Sequence, residues 1–159
     1  MKAITVITVC LVFFGISPPS AAHRFSTSFF VISEVENDGG NFDWQWRLVR
    51  HDFETLVPGL LNAENINVDM RVADFVSQSV SINAECQLNV LPMEQRDDVA
   101  YAGQNYVHIN GRGDCGGKAL TELSVVEVFK KIDDHKVILS IEPDTNKHVL
   151  SKDDPSWIK

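Results

Sequence analysis

Basic residues are scarce in this chain. Fourteen lysines and arginines stand against 22 aspartates and glutamates over 159 residues, for a formal net charge of −8. A protein that neutralises nucleic-acid phosphates needs a basic stripe, and its lack excludes a nucleic-acid partner. Long apolar runs are equally rare. The longest, Ile4 to Ile16, is 13 residues, short of the roughly 18 that a membrane-crossing helix needs. There is no internal repeat and no Pro- or Ser-rich linker, so the length describes one domain. With 44% hydrophobic and 23% charged residues the chain is too apolar for a disordered tail.

The motifs that announce common enzymes are also missing. No serine lies in a strand-turn-helix elbow, and no two histidines fall at the i, i+4 spacing of a zinc hydrolase. Gly111-Arg112-Gly113-Asp114-Cys115-Gly116 satisfies GxGxxG in form. The next stretch of chain, Leu120 to Val128, alternates as a strand where a dinucleotide site needs a helix N-terminus. The glycine-rich segment is therefore expected to be a hairpin loop, and its Arg112-Gly113-Asp114 tripeptide a coincidence. Asp97-Asp98, Asp133-Asp134 and Asp153-Asp154 are adjacent acids without the alternate-residue spacing of a calcium loop, and read as solvated turns.

What is present begins at the N-terminus. Lys2, the apolar run, Ser17-Pro18-Pro19 and the small residues Ser20-Ala21-Ala22 have the form of a secretory signal peptide cut after Ala22. Cleavage would remove Lys2 alone among the charges, taking the net charge from −8 to −9. The expected organisation is a leader over 1–22, a globular domain over 23–150 and a polar tail over 151–159, exported to the periplasm and without a membrane span after cleavage. Of the three cysteines, Cys10 leaves with the leader, and Cys86 and Cys115 remain as an even pair. In an oxidising compartment they are expected to form a disulfide. Closing a loop of about 30 residues would stabilise the fold by roughly 3 to 4 kcal/mol.

Phe42, Trp44, Trp46 and Leu48 alternate with Asp43, Gln45, Arg47 and Val49, the pattern of a half-buried strand. Asn37-Asp38-Gly39-Gly40 supplies the turn that pairs it with Phe25 to Glu36. Val68 to Val80 carries helical spacing, with Asn67 placed as N-cap. Strands are expected over Ala84 to Leu91, Val99 to Ile109 and Leu120 to Val128. A last hairpin, Val137 to Ile141 with Lys147 to Leu150, closes on Pro143-Asp144-Thr145-Asn146. These elements predict an α+β, mainly β fold: an antiparallel sheet or sandwich with one covering helix.

The cut after Ala22 would expose His23 as the first residue, placing an α-amino nitrogen and an imidazole on one residue. The amine titrates near 7.7 to 8.0, so a divalent metal can displace its proton at neutral pH. Nitrogen donors in a tetragonal arrangement favour copper(II). His51, His108, His135 and His148 are the other imidazoles. His51, read as continuing the second strand beside Asp52, is the leading partner for His23, since the start of one hairpin arm faces the end of the other, and His108, sharing a strand face with Tyr106, is the second. Asp52 would orient an imidazole.

Ala22-His23-Arg24-Phe25-Ser26-Thr27-Ser28 and, beyond the turn, Arg47-Leu48-Val49-Arg50-His51-Asp52-Phe53-Glu54 resemble segments of a family of small exported bacterial proteins. Its members open with Ala-His-x-Phe and carry an Arg-x-x-x-His/Asp-Asp-Leu-Glu segment on the second strand. The resemblance extends through the helix and the Val126 to Ser151 region. Asp134-His135-Lys136 and the cysteine-bearing Asn110 to Gly117 loop depart from the family pattern. The resemblance implies a periplasmic location and supplies no substrate. Three functions are therefore expected as alternatives: a non-enzymatic periplasmic binding or accessory protein, with an envelope protein as a candidate partner; a copper-type or other divalent-metal protein built on His23, His51, Asp52 and His108; and a hydrolase or oxidase.

Overall fold

The computed structural model describes residues 26–34, 40–60, 67–92, 99–101 and 104–159. The leader segment and His23 lie outside them. The aromatic hairpin forms as its alternation requires: β1 (Thr27–Glu34) pairs antiparallel with β2 (Asn41–Val49), with Phe30 opposite Trp46 and Ile32 opposite Trp44. Gly40, at φ +98°, leads into β2 in a conformation that side chains resist, while Asn37, Asp38 and Gly39 of the expected turn lie outside the described residues. The chain then leaves the sheet. α1 (Arg50–Leu56) is a helix where the sequence pattern continued as a strand, with Phe53 and Leu56 buried on one face and Arg50 paired with Glu54 at 3.3 Å.

The expected helix is α2 (Val68–Ser79), burying Val72, Phe75 and Val76. β3 (Val80–Ile82), β4 (Gln87–Val90), β5 (Val99–Tyr101) and β6 (Gln104–Asp114) come next along the chain. β6 pairs with β2 along one side, and with β4 and β5 at its two ends on the other. β7 (Glu122–Val125) gives way to a third helix, α3 (Glu127–Lys131), where the sequence pattern continued the strand to Val128. β8 (Lys136–Glu142) and β9 (Lys147–Leu150) form the expected last hairpin. The segment expected as a polar tail contributes β10 (Ser156–Ile158).

The large sheet runs β4-β6-β2-β1-β8-β9, with β5 also on β6, and β10-β7-β3 forms a separate small sheet. The β1/β8 pair is parallel, so the large sheet is mixed and not purely antiparallel. The fold is α+β and mainly β. Among the described residues two short helices, α1 and α3, and the small sheet accompany the expected helix α2. Cys86 and Cys115 are joined in a disulfide that ties the start of β4 to the end of β6. Among the described residues no helix is long and apolar enough to cross a membrane.

The core shows why the glycine-rich segment has its spacing. Gly111 and Gly113 are not in a loop. They occupy inward positions on β6 opposite Trp44 and Phe42. A Cβ at Gly111 would overlap the Trp44 indole, and one at Gly113 the Phe42 ring. The missing side chains make room for aromatic ones, and the dinucleotide reading has no structural basis. Arg112, between them, faces the opposite side and pairs with Asp43 at 3.5 Å.

Candidate functional site

Two places concentrate functional chemistry. The first is a buried polar chain under the helices. Ser26 and Ser28 project inward from the start of β1, Trp46 from β2, Asp52 from α1, and His135 from the turn before β8. The His135 backbone N–H is held by the Ile132 carbonyl at 3.2 Å, and the Lys136 N–H by the Ser26 carbonyl at 2.9 Å, which docks the histidine beside the two serines.

Proton bookkeeping assigns each hydrogen bond. The Trp46 indole N–H can only donate, and it does so to Ser28 Oγ at 3.1 Å. Ser28 is left to donate to His135 Nε2 at 2.8 Å. Ser26 Oγ donates to the Asp52 carboxylate at 2.5 Å and offers a lone pair to His135 Nδ1, with which it is in direct contact. The chain therefore runs Trp46→Ser28→His135→Ser26→Asp52, with neutral imidazole protonated on Nδ1. Protonating Nε2 would set two donors on Ser28 and leave its own proton without an acceptor. Burial acts in the same direction: it pushes His135 down from 6.5 to a pKa of about 4, against the opposing pull of Asp52 and Asp134.

A serine, a histidine and an aspartate in contact suggest acyl transfer, but the arrangement differs from a catalytic triad. The aspartate reaches the imidazole only at 3.7 Å, with Ser26 bonded to both. Ser28, at the position a nucleophile would take, is 0% exposed and His135 1%. A nucleophile must meet its substrate, and this one is sealed in the core between Trp46 and the helices. The chain is a structural latch that joins β1, α1 and the turn before β8.

The second place is a cleft of about 780 Å³ between the large sheet and the small one. α1 and α2 cover the other end of the large sheet, where Trp46 stacks on Phe75 and Phe53 meets Phe75 edge-on. Towards the end of β1 and the start of β2 the face borders a cleft whose lining includes no residue of α1, α2 or α3. Ile32, Phe42 and Ile141 line the cleft from the large sheet, with Leu120 and Trp157 from the small-sheet side. One lip is the β8–β9 turn with Asp144, while the Glu142 carboxylate accepts a hydrogen bond from Ser33 Oγ at 2.7 Å on the opposite face of the sheet. The Asn146 backbone N–H holds the Asp144 carboxyl below the usual carboxylate range. The opposite lip carries Lys118, whose ammonium is paired with Glu85 at 2.9 Å. An apolar floor of this volume with a few polar groups at its rim is the common form of a ligand seat.

The residues singled out from sequence are dispersed. His51 is exposed on α1. Asp52 turns inward to Ser26 and His135. His108 lies opposite Arg47 on the outer face of the sheet, and His148 stands beside Trp157 at the cleft, ring centroids 6.0 Å apart. Among the described residues no group of three or more His, Cys, Asp or Glu could hold a metal ion. The principal site residues that sequence reasoning missed are Ser26, Ser28 and the cleft lining. The inward alternation of Ser26 and Ser28 with Phe30 and Ile32 was their one local signal. No protein-family model matches the chain, and no curated protein matches its sequence.

Proposed function

We propose that this chain is an exported, non-enzymatic binding protein whose ligand seats in the cleft between the two sheets. The observation that carries the reading is the cleft itself: about 780 Å³, floored by core residues such as Phe42 and Ile32 that are 3% and 1% exposed. The sealed Ser28 and His135 favour binding over hydrolysis. The disulfide supports export, because such bonds persist in oxidising compartments.

The test is titration of the purified protein with the fluorescent apolar anion 1-anilinonaphthalene-8-sulfonate. Ala119 lines the cleft and is exposed, so Ala119→Trp fills it without disturbing the core. The expected result is saturable binding by the native chain, at least tenfold weaker in Ala119→Trp and unchanged in Val149→Thr, a change to an exposed residue outside the cleft lining. Equal binding by Ala119→Trp and the native chain would reject the cleft as the seat.

A further inference from the structure

One wall of the cleft is residues 117–120, part of a connection without helix or strand, 115–121, between β6 and β7. Gly116 and Gly117 sit in it at φ +60° and +82°, and glycine keeps more backbone freedom than any other residue. Such a segment holds a fixed position only if something outside it does the fastening. The ladders on both sides of β6 stop at Asp114, the last residue registered with Asn41 on β2 and with Gln87 on β4. Cys115 is the next residue.

The fastener is the turn over residues 83–86, where the Cys86 N–H donates to the Asn83 carbonyl at 2.9 Å. It meets the wall segment at regular intervals. Cys86 is bonded to Cys115, Glu85 pairs with Lys118 at 2.9 Å, and Asn83 Oδ1 accepts from the Thr121 N–H at 3.2 Å. The Asn83 N–H in turn donates to the Glu122 carbonyl at 3.2 Å, at the start of β7. Asn83, Glu85 and Cys86 all lie outside the cleft lining. The fastenings differ in strength. The Lys118 and Glu85 side chains are 62% and 48% exposed, and an ion pair that open to water contributes little. The disulfide is covalent and both its cysteines are buried, which makes it the principal one.

We infer that the turn over 83–86 is the positioning element of the ligand seat: through the disulfide and Asn83 it holds the 115–121 wall in the place a ligand needs. This rests on the cleft being the ligand seat. A wall that is already ordered costs a ligand no entropy of ordering, and in a wall released from the turn that cost is subtracted from affinity.

The test measures affinity for the naphthalene dye in the native chain, Cys86→Ala/Cys115→Ala, Asn83→Ala and His135→Phe, each under conditions where it is folded, and follows amide hydrogen exchange in all four. His135 belongs to the latch and lies outside the cleft lining, so its variant is destabilised without touching the wall. The expected results are dye binding weakened about tenfold without the disulfide and about threefold in Asn83→Ala, with native affinity in His135→Phe. Exchange at 116–121 is expected to quicken in the first two variants while β2 and β6 stay protected. Asn83→Ala keeps the disulfide and decides the outcome should the cysteine variant fail to fold. Native affinity in Cys86→Ala/Cys115→Ala, or in Asn83→Ala where that variant alone folds, overturns the inference. So does unchanged exchange at 116–121, or an equal loss of affinity in His135→Phe. Saturable binding by the native chain in those cases leaves the cleft reading intact, and its absence removes both.

Discussion

His135 shows how much one side chain can carry when it is neutral and enclosed. Replacing it with Phe removes an acceptor from Ser28 and a donor to Ser26, both buried. Each orphaned hydroxyl costs roughly 1 to 3 kcal/mol, so His135→Phe is expected to lower unfolding stability by about 2 to 4 kcal/mol in urea at pH 7. The same residue sets a pH dependence. The unfolded chain takes up this proton near 6.5 and the folded chain only near 4, so between those values the unfolded state binds more protons and stability rises with pH. The contribution is complete above 6.5 and is lost as pH falls toward 4. It amounts to about 3 kcal/mol at 1.36 kcal/mol per pKa unit. Urea titrations across this window should give a flatter profile in His135→Phe than in the native chain by about that amount, and parallel profiles would refute the assignment. Asp52 could be singled out in sequence because it stands at the end of a legible strand. His135 could not be assigned its partners, because it meets Ser26 and Ser28 across 109 and 107 residues and no local spacing encodes such a contact.

Among the elements, the sequence was clearest where alternation and turn chemistry agree. The aromatic hairpin, the last hairpin and α2 all stand where their periodicities place them. α1 was hidden because no capping side chain marks its start at Val49 and His51 reads as the next polar position after Asp43, Gln45 and Arg47. The competing signals were the Arg50–Glu54 pair and the helical spacing of Phe53, Leu56 and Val57. The glycines of β6 were misread for a different reason. Glycine clusters usually mark loops, and a glycine that yields space to an aromatic ring across a sheet cannot be distinguished before the pairing register is known. That register predicts the effect of filling the space. Gly113→Ala forces a methyl group into the Phe42 ring, and overpacking of this kind costs about 1 to 3 kcal/mol. Combining it with Phe42→Leu should recover part of the loss. A double-mutant cycle by urea denaturation is expected to show a favourable coupling of roughly 1 kcal/mol, since residues in contact do not add independently. Strict additivity would show that the glycine is there for some other reason.

Over the whole molecule, the layers divide the labour. Helices and aromatic rings seal one end of the large sheet around the polar latch, while the other end opens between the two sheets. The fold class was readable from the succession of short strands, but the cleft was not. It arises from β10, which lies in a polar segment that resembles a tail, and from the parallel β1/β8 pairing that brings Ile141 beside Ile32. Both are long-range choices that no local pattern announces. The central claim is that this cleft, and not the serine–histidine chain, is where the protein meets its ligand. Mapping amide chemical shifts in the ¹H–¹⁵N spectrum during titration with the naphthalene dye tests it most directly. The account predicts perturbations centred on Gly117 to Leu120, Ile141 to Asp144 and Trp157 to Lys159, with Ser26, Ser28 and His135 unmoved. Perturbations centred on those three buried residues, with the cleft unmoved, would contradict it.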